Sequence, residues 1–161
     1  MDSLDWRLIE ELERDGRVSY AALGSRVGLS KSPCWMRVQQ LEKNGFIEGY
    51  RAQLDPEKLG LTVESFVNVQ ILMDCHTDFE KAALDHPAIV ECFTTAGETD
   101  YLLRVMAVSI SHLDDLLRQD LSKLPGVQRL ASTVCLKTIK RSGHLARWAI
   151  ENQSSSAGKQ A

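Results

Sequence analysis

Apolar residues in the first third of the chain recur at helical spacing, whereas several later segments alternate. Leu4, Leu8, Ile9 and Leu12 share one face of a predicted helix, opened by Asp2 or Ser3, with Trp6 on its flank. Ala22, Leu23 and Val27 mark a short second helix that Ser19 can cap, and Gly28 supplies the left-handed residue that stops it. A third helix follows a Ser30 cap, carries Cys34, Val38 and Leu41 inward, and ends at Gly45. Three such helices can share one small core. The second and third, joined through the Gly28-Leu29 turn, read as a helix-turn-helix, whose second helix enters the major groove of DNA. Phe46 to Pro56 then alternates like an extended strand.

After Pro56 the period changes. Val63 to Met73 reads as a strand, His76 to Asp85 as a helix ended by Pro87, and Ile89 to Thr95 as a second strand. Gly97 marks a turn into a partner strand from Tyr101 to Val108. Ile110, Leu113, Leu116, Leu117, Leu121 and Leu124 form a helical stripe that stops at Pro125-Gly126, and Val127 to Ile139 returns to strand. This βαββαβ order is the ferredoxin-like arrangement. The fold class is therefore α+β: an N-terminal three-helix, winged-type helix-turn-helix domain, then a ferredoxin-like domain. Gly60, with the Asp55-Pro56 step, is the natural boundary. The expected division is residues 1–50 for the helices, 51–62 for a strand or linker, 63–141 for the ferredoxin-like part and 142–161 for a tail. In that tail Leu145, Trp148 and Ala149 allow a short helix, and Ser154 to Gln160 reads as disordered.

Charge sharpens the first part. The 161-residue chain carries a formal net charge of -3, which argues against a nonspecific polyanion binder. Between Gly16 and Gly45, however, Arg17, Arg26, Lys31, Arg37 and Lys43 face only Glu42. A basic island in an acidic chain suits phosphate contacts. At 100° per residue, Ser32, Met36, Gln39, Gln40 and Lys43 lie opposite the inner face of the third helix, with Trp35 and Arg37 beside the seam. Gln39 or Gln40 can pair with adenine, and Ser30 and Ser32 sit at the helix start, where a phosphate or base edge approaches. Arg26, Lys31 and Arg37 suit backbone phosphates. Trp35 either packs on the neighbouring helix or meets a base, and Arg37 either contacts DNA or pairs with Glu42 or another acid.

Leu4-Asp5, Asp15-Gly16-Arg17, Val27-Gly28-Leu29-Ser30, Ser32-Pro33-Cys34, Arg37-Val38, Leu41-Glu42 and Gly45-Phe46-Ile47-Glu48-Gly49-Tyr50 together resemble the Lrp/AsnC family of feast/famine regulators. The resemblance runs over roughly residues 2 to 142 and departs at Trp35 and in the tail. It implies a DNA-binding transcriptional regulator of amino-acid metabolism or transport, whose ferredoxin-like domain binds an effector and oligomerises. It also implies homodimers that assemble into tetramers or octamers. Family members carry Gly-x-x-Asp where this chain has Gly97, Glu98, Thr99 and Asp100, and build an amino-acid site there. Amides around Gly97, expected at positive φ, could hold a carboxylate. Asp100 would then meet the ammonium or fix the turn, and Tyr101, Ser132 and Thr133 complete the candidate effector set.

No catalytic constellation is legible, so no enzyme activity and no cofactor are expected. Cys34, Cys75, Cys92 and Cys135 are widely spaced and read as buried free thiols, and the four histidines are too isolated for a metal site. No apolar run is long enough to span a membrane, which places the chain in the cytoplasm. The alternative is a ferredoxin-like amino-acid-binding allosteric subunit, or a metabolic enzyme, that does not bind DNA. A helical hairpin that docks on another protein is a third possibility.

Overall fold

Each of the first three helices starts where a short polar residue stands just outside the first turn. The chain is described from a computed structural model covering residues 1–157. It divides into two units: Met1–Gln53 together with the segment from Lys140 onwards, and Leu54–Ile139.

In the first unit, Asp2 accepts from the Asp5 amide while Asp5 accepts from the Asp2 amide, a capping box that opens α1 (Ser3–Arg14). Ser19 Oγ accepts from the Ala22 amide and opens α2 (Tyr20–Val27). Gly28, at φ 82°, ends it in the left-handed region. Ser30 occupies the cap position of α3 (Lys31–Lys43), but its hydroxyl makes no cap bond, contrary to the expectation. Leu8, Leu12, Leu23, Val27, Cys34, Val38 and Leu41 form the core these helices share.

The expected strand from Phe46 to Pro56 forms no ladder, so no β-wing follows the helices among the described residues. Its alternation is real, but a strand needs a partner edge, and this unit contains no sheet. The tail gives a longer helix than expected, α6 (Leu145–Ala157), so Ser154 to Ala157 are helical, while Gly158 to Gln160 lie outside the described residues. Glu13 of α1 accepts the Leu145 and Ala146 amides at 2.7 and 3.3 Å, capping α6 from a distant part of the sequence, and Ala146 is buried.

The second unit holds β1 (Val63–Ile71), α4 (His76–Asp85), β2 (Ile89–Thr94), β3 (Tyr101–Ala107), α5 (Ile110–Asp115) and β4 (Val127–Val134). The sheet order is β2-β3-β1-β4 with every pair antiparallel, the ferredoxin-like topology. Every second residue of β1 is buried, and these pack with Phe79, Tyr101, Leu103, Val105, Leu113, Leu116 and Leu121. After α5 the chain passes through a π-turn over Leu116–Asp120 and a 3₁₀ turn over Leu121–Lys123. That local change of pitch lets Leu116 and Leu121, five apart, both face the sheet. β4 stops at Val134, five residues short of the expected end. Among the described residues no helix is long and apolar enough to cross a membrane.

Candidate DNA interface and effector cavity

The outward side of α3 carries Lys31, Ser32, Trp35, Met36, Gln39, Gln40 and Lys43, all exposed. Gln39 Nε2 donates to Glu42 at 2.7 Å and Gln40 Nε2 to Asn44 at 3.0 Å, surface bonds that a base edge can replace at small cost. Trp35 is half exposed.

Two of the predicted phosphate contacts are otherwise engaged. Arg37 Nη1 donates to Asp2 and Asp5, both at 2.7 Å, tying α3 to the start of α1. The Asp5 amide, and then Arg37, hold the Asp2 carboxyl below its ordinary range, and the two carboxylates push the Arg37 pKa up. Arg26 pairs with Glu11 at 3.1 Å and reaches Asp15 at 4.0 Å. Neither arginine pairs with Glu42, which instead accepts from Gln39 and the Tyr50 hydroxyl. The basic island is therefore smaller than its sequence count, because acids of α1 fold back onto it. On α3, Lys31 and Lys43 remain as exposed cations with no ion pair among the described residues.

At the other candidate site, the segment from Thr95 to Asp100 connects β2 to β3. Thr95 N–H donates to the Asp100 carbonyl at 2.9 Å, and its hydroxyl to the Thr99 carbonyl at 2.5 Å. Gly97 is not at positive φ, and a Cβ there would meet open space, so the expected conformational need for glycine is absent. Asp100 does fix the turn, though not through the loop's own amides. The β1–β3 ladder ends at Val69 and Tyr101, and the Asp100 carboxylate takes the next β1 amide, Ile71 N–H, at 2.9 Å.

The loop borders a cavity of about 280 Å³ lined by Asn68, Gln70, Glu98, Thr99, Arg129 and Ala131. Register explains the lining. Asn68 pairs with Ala131 and Gln70 with Arg129, so all four share the sheet face opposite the helices. Thr99 Oγ1 reaches Asn68 Oδ1 at 3.3 Å on that same face.

Of the seven predicted members only Glu98 and Thr99 line it; Gly97 and Asp100 stay in the loop beside it, and Tyr101, Ser132 and Thr133 fall outside. Ser132 pairs with buried Val67 and so belongs to the helix-covered face; Thr133 is on the open face but does not line the cavity. Tyr101 is buried against Phe79, with ring centroids 4.6 Å apart. Its hydroxyl donates to Glu80 at 2.9 Å and lies 2.8 Å from His76 Nδ1. Burial first, and the Glu80 bond second, push its pKa up to about 12. Asn68, Gln70 and Arg129 were missed because only strand pairing brings them to the loop; polar residues at alternate β1 positions were the available signal.

A larger cavity of about 350 Å³ lies on the helix side, between α4 and β2, lined among others by Glu80, Leu84, Val90 and Cys92. Its lining has no cation to meet a carboxylate. Only Cys34 is buried, contrary to the expectation for all four thiols: Cys75 and Cys135 are partly exposed, and Cys92, on the sheet's edge strand, is exposed. All four cysteines are free.

Residues 1–42 match the AsnC-type helix-turn-helix domain, and residues 64–145 match the Lrp/AsnC ligand binding domain. The leucine-responsive regulatory protein of Escherichia coli strain K12 is 36% identical over 148 residues, 90% of each chain. Among solved structures, a transcriptional regulator of Neisseria meningitidis in complex with L-Met superposes with a TM-score of 0.86 at 34% identity, covering 90% of this chain and 96% of that one. An AsnC family transcriptional regulator from Agrobacterium tumefaciens gives 0.83 at 31% identity, with the same coverage.

Proposed function

Because the chain belongs to the Lrp/AsnC family of DNA-binding transcriptional regulators, we propose that α3 reads operator DNA while the cavity beside Thr99 senses a free amino acid. Its relatives are regulatory proteins, and its activity is regulation, not catalysis.

The observation that carries the sensing role is the cavity's pair of opposite charges. Arg129 and Glu98 line it together and have no ion pair among the described residues. A guanidinium binds a carboxylate with good geometry, and a carboxylate binds an ammonium, so the two suit the ends of a zwitterion. Asn68 and Gln70 add neutral hydrogen-bonding groups, and Asp100 keeps the loop in place instead of contacting the ligand. The amino acid bound by the Neisseria relative supports this reading. Calorimetric titration with the twenty L-amino acids tests it. One of them should bind wild type and lose most of its affinity for Arg129→Met; no binding by wild type would overturn the sensing role.

For DNA, Lys31 at the start of α3 positions the helix on phosphates, and Ser32, Gln39, Gln40 and Lys43 lie on its outward face. Lys31→Ala should weaken binding to all sequences and reduce the salt slope by about one, whereas Gln40→Ala should change base preference. Gel-shift titrations at several salt concentrations measure both.

The open sheet face presents Phe66, Phe93 and Leu102 around the Glu64–Arg104–Glu91 ion pairs. We propose that a second copy covers it, making a cytoplasmic homodimer whose paired recognition helices meet a two-fold symmetric site. Sedimentation of the full chain at micromolar concentration should show at least a dimer.

A further inference from the structure

Apolar side chains stand on both sides of α3. Cys34, Val38 and Leu41 face the core, whereas Trp35 and Met36 face solvent, 47% and 57% exposed. The helix α1 is built differently: beyond its core residues it presents mainly charged side chains such as Arg7, Glu10 and Arg14. Surface apolar residues are ordinary when scattered, but these two are adjacent and occupy the first two turns of the helix that meets DNA. In a helix-turn-helix those turns are the part that touches base edges.

Chemistry limits what the pair can read. Indole offers one N–H donor, and a thioether is at best a weak acceptor, so neither can make the two-point hydrogen bonds that Arg, Asn or Gln make to a purine. The apolar group that base pairs present in the major groove is the thymine C5-methyl. Lys31 and Ser32 at the same end suit the backbone, and Gln39 and Gln40 follow one turn later. The polar readers Gln39 and Gln40 thus lie farther along the helix, and Trp35 and Met36 stand between them and its polar start. We infer that Trp35 and Met36 are specificity residues that read thymine methyl groups in the operator. The inference rests on α3 being the recognition helix.

Uracil, which lacks only that methyl, provides the test. The full-length protein first enriches a duplex from a random-sequence library, and that duplex is then synthesised with thymine or with uracil throughout. Fluorescence anisotropy gives the dissociation constant for each. Wild type should bind the uracil duplex more weakly, by about fourfold for each methyl it buries. The Trp35→Ala, Met36→Ala double variant should bind both duplexes alike, and Met36→Leu, which restores an apolar side chain, should retain the preference. Both side chains are exposed, so the double variant leaves the core unchanged, as its melting curve checks. Equal affinity of wild type for the two duplexes overturns the inference. So does a double variant that keeps the thymine preference, with or without loss of self-association. Failure of the recognition-helix reading is distinguishable, since Lys31→Ala and Gln40→Ala would then leave DNA binding unchanged as well.

Discussion

The two units hold themselves together differently. The helical unit closes a small core around Leu8, Leu23, Cys34 and Val38, then ties its helices with charge: Arg37 to Asp2 and Asp5, Arg26 to Glu11. The sheet unit builds a larger core across β1, β3 and the helix-covered face, with Phe79 and Tyr101 fully buried in it. Exposed ion pairs contribute little each, whereas buried aromatic side chains contribute several kcal/mol. The helical unit therefore depends on its small core and close backbone fit, with charge adding little, and the sheet unit on buried volume.

The largest expected effect tests the volume side. Phe79→Ala removes a fully buried ring in contact with Tyr101 and should cost about 3–5 kcal/mol, measured by urea denaturation. Next comes backbone fit. A Cβ at Gly24 would lie 2.5 Å from the Leu29 carbonyl oxygen, so Gly24→Ala must move the turn between α2 and α3. About 1–3 kcal/mol of stability and much of the DNA affinity should be lost, by melting and gel-shift titration.

The remaining two predictions separate the units by pH. Tyr101 ionises near pH 10 in the unfolded chain and at about 12 when folded, so the unfolded state deprotonates first. Stability present below pH 10 should fall as the pH rises to 12, and Tyr101→Phe should flatten that fall. The smallest effect is in acid. The folded Asp2 carboxyl is lowered from 3.8, so its contribution is complete above pH 3.8 and is lost as the pH falls through the folded value. Melting curves of wild type and Asp2→Ala should differ at pH 6 and converge at the lowest pH that leaves the protein folded.

The same contrast explains what could be read from the chain. The helices of the first unit announce themselves locally: Ser19 and Gly28 bracket α2, and inward Cys34, Val38 and Leu41 fix which side of α3 faces out. The fate of Arg37 was not legible, because Asp2 and Asp5 lie more than thirty residues away and only packing brings them near. In the sheet unit, alternation reveals each strand but not its neighbour. The loop from Gly97 to Asp100 is legible as a link between two strands, whereas Asn68, Gln70 and Arg129 reach the cavity beside it only through the β1–β4 register. Tyr101, next to Asp100, faces the core for a related reason, since one step along a strand reverses the face.

Glu13, which captures the first amides of α6, also bears on how this protein can be recombined. The helical unit is assembled from two segments that lie far apart in the sequence. A chimera that transplants only the first 53 residues onto another sensor would leave Glu13 without its helix and the surface beside it bare. Exchanging the segment from Lys140 onwards along with it keeps the module whole, and a bulky fusion placed close to His144 would obstruct the same junction.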